Sequence, residues 1–413
     1  MRVPSSLDAL REPAFARYLA AVSVSTLGSG MAVVALAFAV LDLGGATDLG
    51  IVLLAREVPV VVFLLLGGVF ADRLPRRDIL VGSDLVKGVA QAATAALFFS
   101  GAASVWNVAL LQTVFGVAVA FSRPATLGLV REAVSENRLQ EANAFIQLSR
   151  SSLSVAAPAI GAVIVAAASP AWALALDSGT FFVSALLVAS MRLAPAVRLA
   201  SASVLADLRD GWSEFVSRSW VVAMVTSFGF FQLTFFPAYL VLGPLVAKEE
   251  LGGAGAWGTI LALQAAGSVA GGLIALRVRF ARPLVASMLL VLPAGVLLAT
   301  LAVPLPLVLI AFVGFTVGVG FSFGETLWFT ALQRNVPEHA ISRISSFDWF
   351  GSVALNPIGY ALIGPLAAFV GVAETLAVAA ALNIAVSLMV VLVPSVRALR
   401  GDASRPAAEA TMR

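Results

Sequence analysis

Four carboxylates stand inside, or within a turn of, long apolar runs: Glu57, Asp177, Glu325 and Asp348. A charge held at mid-bilayer depth costs about 2.5–3.5 kcal/mol or more, so such residues mark function or a specific partner. Desolvation favours the neutral form of a carboxyl group. The chemistry open to these four is therefore reversible protonation, and they are the candidates for proton coupling. The structural alternative is an ion pair or hydrogen bond between helices. Arg56 precedes Glu57, although adjacent helical residues point about 100° apart and need not pair. Glu325 and Asp348, with Arg334, also fit an anchor near the inner end of their helices. Asp84 and Lys87 lie one turn apart and read as a packing pair, whereas Asp42, Asp48 and Glu374 sit at run ends, in reach of water.

Other site chemistry finds little material. The chain has no cysteine and one histidine, His339, which falls in a loop. Disulfides and thiolate sites are excluded, and a histidine-based metal centre lacks ligands. No Ser/His pair lies within the apolar runs, and no G-x-x-x-x-G-K-[ST] loop is present to cradle a nucleotide. We therefore expect neither an enzyme nor a bound cofactor or metal.

The elements that must position these residues follow from composition. Of 413 residues, 60% are hydrophobic and 12% charged, and the mean hydropathy is +0.99. A soluble domain carries about 25% charged residues. One bilayer-spanning helix needs about 20 apolar residues, and the runs number twelve: 15–41, 51–71, 79–100, 104–122, 149–168, 172–190, 220–243, 256–276, 284–302, 306–329, 344–369 and 371–394. The fold class expected is an all-α polytopic membrane protein in two pseudo-symmetric six-helix bundles. Its domains are 1–190, a cytoplasmic linker with an amphipathic helix at 191–219, 220–394, and a polar tail, 395–413, expected to be disordered.

Arginine sets the orientation. Of 26 Lys and Arg, only Arg56 and Lys248 fall near the outer loops. The remainder lie at the termini and in the loops after runs 2, 4, 6, 8 and 10, so those loops and both termini are expected to be cytoplasmic. The net charge of +3 is thus a topology signal and not a nucleic-acid surface. Arginine outnumbers lysine 24 to 2, and alanine is abundant. That points to a GC-rich bacterial source and, with the spans, to the plasma membrane.

The halves repeat. Gly67-Gly68 ending run 2 matches Gly271-Gly272 ending run 8, Val134-Ser135-Glu136 matches Val336-Pro337-Glu338, and Ala157-Pro158-Ala159-Ile160-Gly161 is similar to Asn356-Pro357-Ile358-Gly359. Related six-helix halves are an architecture of secondary transporters.

With these residues in view, the chain resembles the major facilitator superfamily, most closely its bacterial drug and secondary-metabolite exporters (the siderophore and macrolide exporter group). Gly68-Val69-Phe70-Ala71-Asp72-Arg73-Leu74-Pro75-Arg76-Arg77 is similar to that family's G-x-x-x-D-R-x-G-R-R loop, with Pro75 replacing a glycine. The resemblance implies a cytoplasmic conformational latch at Gly68, Asp72, Arg73, Arg76 and Arg77. It also implies an antiporter-like motif at Pro158 and Gly161, where alanines replace the outer glycines. Gln112 occupies a position where many proton-driven members have arginine, so that relay is missing here. The substrate path implied lines spans 1, 4, 7 and 10, through Ser25, Thr26, Ser29, Gln112, Gln232, Phe235, Phe236, Tyr239 and Trp328.

The function expected is export of small amphipathic compounds by alternating access, with protons as the coupling ion, by a monomer in the bilayer. An importer, a uniporter or a lysophospholipid-type flippase on the same fold stands as the alternative, ahead of a non-transport scaffold or sensor.

Overall fold

The computed structural model describes residues 9–73, 75–135, 138–193, 212–303, 305–337, 344, 347–348 and 350–401, with backbone alone at 64–73, 124, 127–128, 131 and 140. Twelve long helices carry the chain and no strand occurs among the described residues. They are α1 (Pro13–Leu43), α2 (Ala46–Arg73), α3 (Arg76–Phe99), α4 (Val105–Ala133), α5 (Leu139–Ala167) and α6 (Pro170–Ala189), followed by α7 (Ser219–Pro237), α8 (Ala254–Ala275), α9 (Pro283–Ala302), α10 (Leu307–Asn335), α11 (Asn356–Val370) and α12 (Val372–Leu392). After Pro237, α7 continues through a π-helical stretch, Ala238–Leu242, into Gly243–Glu250. Ten of the described helices are long and apolar enough to cross a membrane. Apolar side chains such as Leu110, Val308 and Phe369 point outward, as a lipid environment requires and water would penalise.

Helix ends are fixed by local chemistry. Ser104 accepts from the Asn107 N–H while Asn107 returns the bond, a capping box that starts α4. Pro13, Pro170 and Pro283 sit at helix starts, where a missing N–H costs nothing. Gly371, at φ 108°, links α11 to α12 through a conformation that side chains resist.

The chain divides into two compact units, residues 1–200 with 247–262 and residues 201–246 with 263–413. Inside unit 1, α3 packs on α4 and α6, and α1 on α5 and α6. Inside unit 2 the same pairs recur six helices later: α9 on α10 and α12, and α7 on α11 and α12. The internal repeat in the sequence therefore has a counterpart in packing.

Glycine permits the closest of these approaches. A Cβ at Gly116 of α4 would stand 2.1 Å from the Arg56 carbonyl oxygen of α2. In unit 2, Cβ atoms at Gly267 and Gly318 would meet the Phe315 and Gln264 carbonyl oxygens at 1.9 and 1.8 Å. These helix pairs touch backbone to backbone, the contact that small residues allow in membranes.

Of the central linker, 212–216 is helical. Trp212 and Phe215 stack on each other with ring centroids 5.6 Å apart, and both meet Phe347. The tail beyond 401 and His339 lie outside the described residues.

Candidate functional site

Aromatic residues at helical spacing build a cavity inside unit 2. Phe228, Phe231, Gln232 and Phe236 recur on one stripe of α7, and Phe321, Gly324, Glu325, Trp328 and Phe329 do so on α10. These stripes, with Val291 of α9 and Asp348, Ser352 and Val353 ahead of α11, enclose about 270 Å³. Phe231 and Phe321 meet edge to face at 5.4 Å. The Trp328 indole Nε1 donates to Asp348 Oδ2 at 3.1 Å. Asp348 is buried, and Glu325 is accessible from the cavity. Two carboxylates thus face an aromatic space. That combination accommodates apolar surface and a positive charge together, because ring faces attract cations.

Unit 1 holds a different site, a buried polar chain. Asp177 of α6 is 0% exposed. Its Oδ2 accepts from Gln91 Nε2 of α3 at 2.8 Å, and Gln91 Oε1 accepts from Gln112 Nε2 of α4 at 3.3 Å. A Cβ at Gly28 of α1 would lie 2.5 Å from Asp177 Oδ1, so α1 closes directly over the carboxylate. One helical turn away on α3, Lys87 pairs with Asp84 at 2.6 Å, and Asp84 accepts from the Ser184 hydroxyl at 2.6 Å. Between these strings, Phe115 and Phe181 meet edge to face. The Arg56 guanidinium lies 4.4 Å from the centre of the Phe115 ring, and Lys87 Nζ lies 4.6 Å from that of Phe181. Arg56 and Lys87 are thus each set over a ring, with Asp84 beside Lys87.

The remaining predicted residues separate clearly. Gln232, Phe236 and Trp328 line the unit 2 cavity together with Glu325 and Asp348. Phe235 and Tyr239 do not. Phe235 is stacked between Phe231 and Tyr239, and Tyr239 donates to Gln264 at 2.7 Å. Glu57 is half-buried on α2, and Ser25, Thr26 and Ser29 are half-buried on α1, Ser25 bonding to the carbonyl of Val22. Gln112 is buried in the Asp177 chain. Pro158 lies inside α5, and a Cβ at Gly161 would stand 2.7 Å from the Met31 backbone of α1; the motif makes a close helix contact within unit 1.

The loop motif is described in part. Arg76 pairs with Glu132 of α4 at 3.0 Å. Arg77 Nε donates to the Val188 carbonyl at 3.4 Å, and its Nη2 donates to that of Ala189, capping the C-terminus of α6. Gly68, Asp72 and Arg73 are described by backbone alone, within α2.

Sequence reasoning missed Phe228, Phe231, Phe321 and Phe329 as cavity walls. The signal was available, since with Gln232 and Glu325 they fall at i, i+3, i+4 and i+7/i+8 spacings on α7 and α10. Among the described residues no cluster of His, Cys, Asp and Glu could hold a metal ion.

Comparison with known proteins agrees with this architecture. The chain is 26% identical over 394 residues to the multidrug efflux pump Tap of Mycolicibacterium fortuitum, covering 90% of this chain and 93% of that one. It is 24% identical to Tap of Mycobacterium tuberculosis, over 97% and 99%, and 23% identical to macrolide efflux protein A of Streptococcus pyogenes, over 56% and 58%. Among solved structures, it superposes on a mutant of the nucleoside transporter NupG with a TM-score of 0.74 at 10% identity, covering 91% of this chain and 98% of that one. It superposes on a bacterial homologue of ferroportin at 0.70 and 16%, covering 92% and 99%. The sequence matches the Major Facilitator Superfamily over residues 18–352, a stretch that runs from within α1 through α10 and ends just ahead of α11. Helical architecture, membrane-crossing elements and this match converge: the chain belongs to the Major Facilitator Superfamily and is a transporter, not an enzyme.

Proposed function

We propose that this transporter exports small amphipathic compounds across a bacterial plasma membrane in exchange for protons, by alternating access of its two units. The observation that carries the reading is the unit 2 cavity, in which Glu325 and Asp348 share walls with Trp328 and five phenylalanines. Aromatic walls take the apolar body of a substrate, and carboxylates favour one bearing a positive charge over a neutral isostere. Carboxylates inside a bilayer are also the groups able to exchange a proton for a cation. Asp177 and Glu57 in unit 1 are further proton-binding candidates, Asp177 being held between Gln91 and Thr180. The efflux pumps among the relatives support the outward direction. Both termini are assigned to the cytoplasm from the arginine distribution. The loop from Gly68 to Arg77 is assigned the cytoplasmic latch, and the working unit is taken as a monomer.

The test is transport in proteoliposomes of phosphatidylethanolamine and phosphatidylglycerol, under an imposed pH gradient, of a fluorescent lipophilic cation and of an uncharged analogue. The expected result is uphill movement of the cation that collapses when the gradient is dissipated, and little movement of the neutral compound. Flux that ignores the gradient removes proton antiport. Equal flux of both compounds removes the preference for cations.

A further inference from the structure

The opposite face of α10 borders a second cavity, of about 450 Å³. Thr326, Leu327, Thr330 and Arg334 of α10 form one wall, and Arg279 and Phe280 of the α8–α9 connection form another. Arg400 closes it from beyond α12. This last residue is positioned by its neighbour, since the Gly401 N–H donates to the Ala281 carbonyl at 2.9 Å. A Cβ at Gly401 would lie 2.3 Å from the Phe280 carbonyl oxygen, so the chain after α12 is laid directly along the α8–α9 connection.

Three guanidinium groups therefore border one cavity, and none of the described residues lining it is acidic. An anion placed in the cavity is attracted by all three. Guanidinium is planar, keeps its charge and matches phosphate oxygens two at a time. The same cavity has an apolar side. Phe280 and Phe323 lie 5.5 Å apart, ring centre to ring centre, beside Leu327 and Leu399. A fully solvated phosphate has no use for that wall, whereas a headgroup joined to glycerol and acyl chains does. The arginines lie in or beside the basic loops, which the positive-inside rule places at the cytoplasmic leaflet, where anionic lipids meet basic pockets between helices.

We propose that this cavity is a binding site for a phosphate group, presented by the headgroup of an anionic glycerophospholipid or by a small soluble phosphate ester. It is separate from the cavity that holds Glu325, and it stands whether or not the exported compound is a cation.

The test is native mass spectrometry of the purified full-length protein in detergent. The probes are palmitoyl-oleoyl phosphatidylglycerol, palmitoyl-oleoyl phosphatidylcholine and sn-glycerol 3-phosphate. We expect one retained phosphatidylglycerol, and binding about tenfold or more weaker in Arg279→Gln/Arg400→Gln. Arg279→Lys/Arg400→Lys should weaken it less than the glutamine pair, because the charge remains while the two-point contact is lost. Thr330→Glu, which sets a carboxylate on the cavity wall, should abolish binding while the thermal unfolding midpoint in phosphatidylcholine stays near that of the parent, so loss of ligand is separated from loss of fold. Displacement of the lipid by equimolar glycerol phosphate supports the soluble source, and failure to displace supports the lipid. Equal retention of phosphatidylglycerol and phosphatidylcholine in parent and variants, with no bound glycerol phosphate, overturns the proposal.

Discussion

The Trp328 indole donates to the Asp348 carboxylate across 3.1 Å, tying α10 to the segment ahead of α11 at the wall of the aromatic cavity. Trp328→Phe keeps the ring and removes the donor, leaving a buried carboxylate short of a partner. We expect a stability loss of about 1–3 kcal/mol, read as a lower thermal unfolding midpoint in detergent. Asp348→Asn in the same background should recover part of it, because the uncompensated charge is gone.

Glu325 faces the cavity without burying its whole side chain. Glu325→Gln should leave the protein folded and capable of exchanging labelled for unlabelled substrate, yet reduce uphill transport about tenfold or more, the scale expected when an essential proton carrier is lost. Proteoliposome counterflow and gradient-driven uptake, measured side by side, check this. Full uphill transport by the variant would remove Glu325 from coupling.

In unit 1, Gln91 is the amide that reaches the fully buried Asp177. Gln91→Leu leaves that carboxylate with only the Thr180 hydroxyl at 3.5 Å among the contacts described above and should cost about 1–3 kcal/mol, measurable by unfolding in detergent. Asp177→Asn keeps the shape and removes the charge, so it should cost less than Gln91→Leu. If the proton role assigned to Asp177 is correct, its uphill transport falls while its melting midpoint holds.

Two glycines of unit 2 make a matched pair. A Cβ at Gly318 would stand 1.8 Å from the Gln264 carbonyl oxygen and 2.7 Å from the Ser268 backbone nitrogen, whereas one at Gly272 meets only the Ser322 hydroxyl at 3.4 Å. Gly318→Ala must force α8 and α10 apart and should destabilise by about 1–3 kcal/mol, as overpacking does. Gly272→Ala should be near neutral. Expression yield and unfolding midpoint compare them directly.

The loop arginines offer a last test. Arg77 caps α6 within unit 1, so Arg77→Gln should cost roughly 0.3–1 kcal/mol, the scale of a cation at a helix C-terminus. Asp72→Asn, by contrast, should slow transport several-fold with little effect on unfolding. Unchanged transport in that variant would remove the latch.

The helical fold, with its paired halves, was legible because bilayer length and apolar runs leave few alternatives. Glu325 and Trp328 could be singled out because polar and aromatic groups interrupt an apolar helix. What could not be read was direction. Phe230, Phe231, Phe235 and Phe236 crowd one helix; spacing groups Phe231 with Phe228 and Gln232, but packing is needed to show that this stripe faces the cavity while Phe235 and Tyr239 are stacked away from it. Likewise Arg279, Arg334 and Arg400 lie far apart in sequence. They read as topology signals until α10 and the chain after α12 bring them to one cavity.

The glycine contacts between α8 and α10 carry a mechanical consequence. With carbonyl oxygens seated where side chains would otherwise stand, no soft layer separates the two helices, and they form a stiff rib. Bending must therefore be taken up by less regular backbone, and the π-helical turn at Ala238–Leu242 is where the long helix beside this rib has such slack.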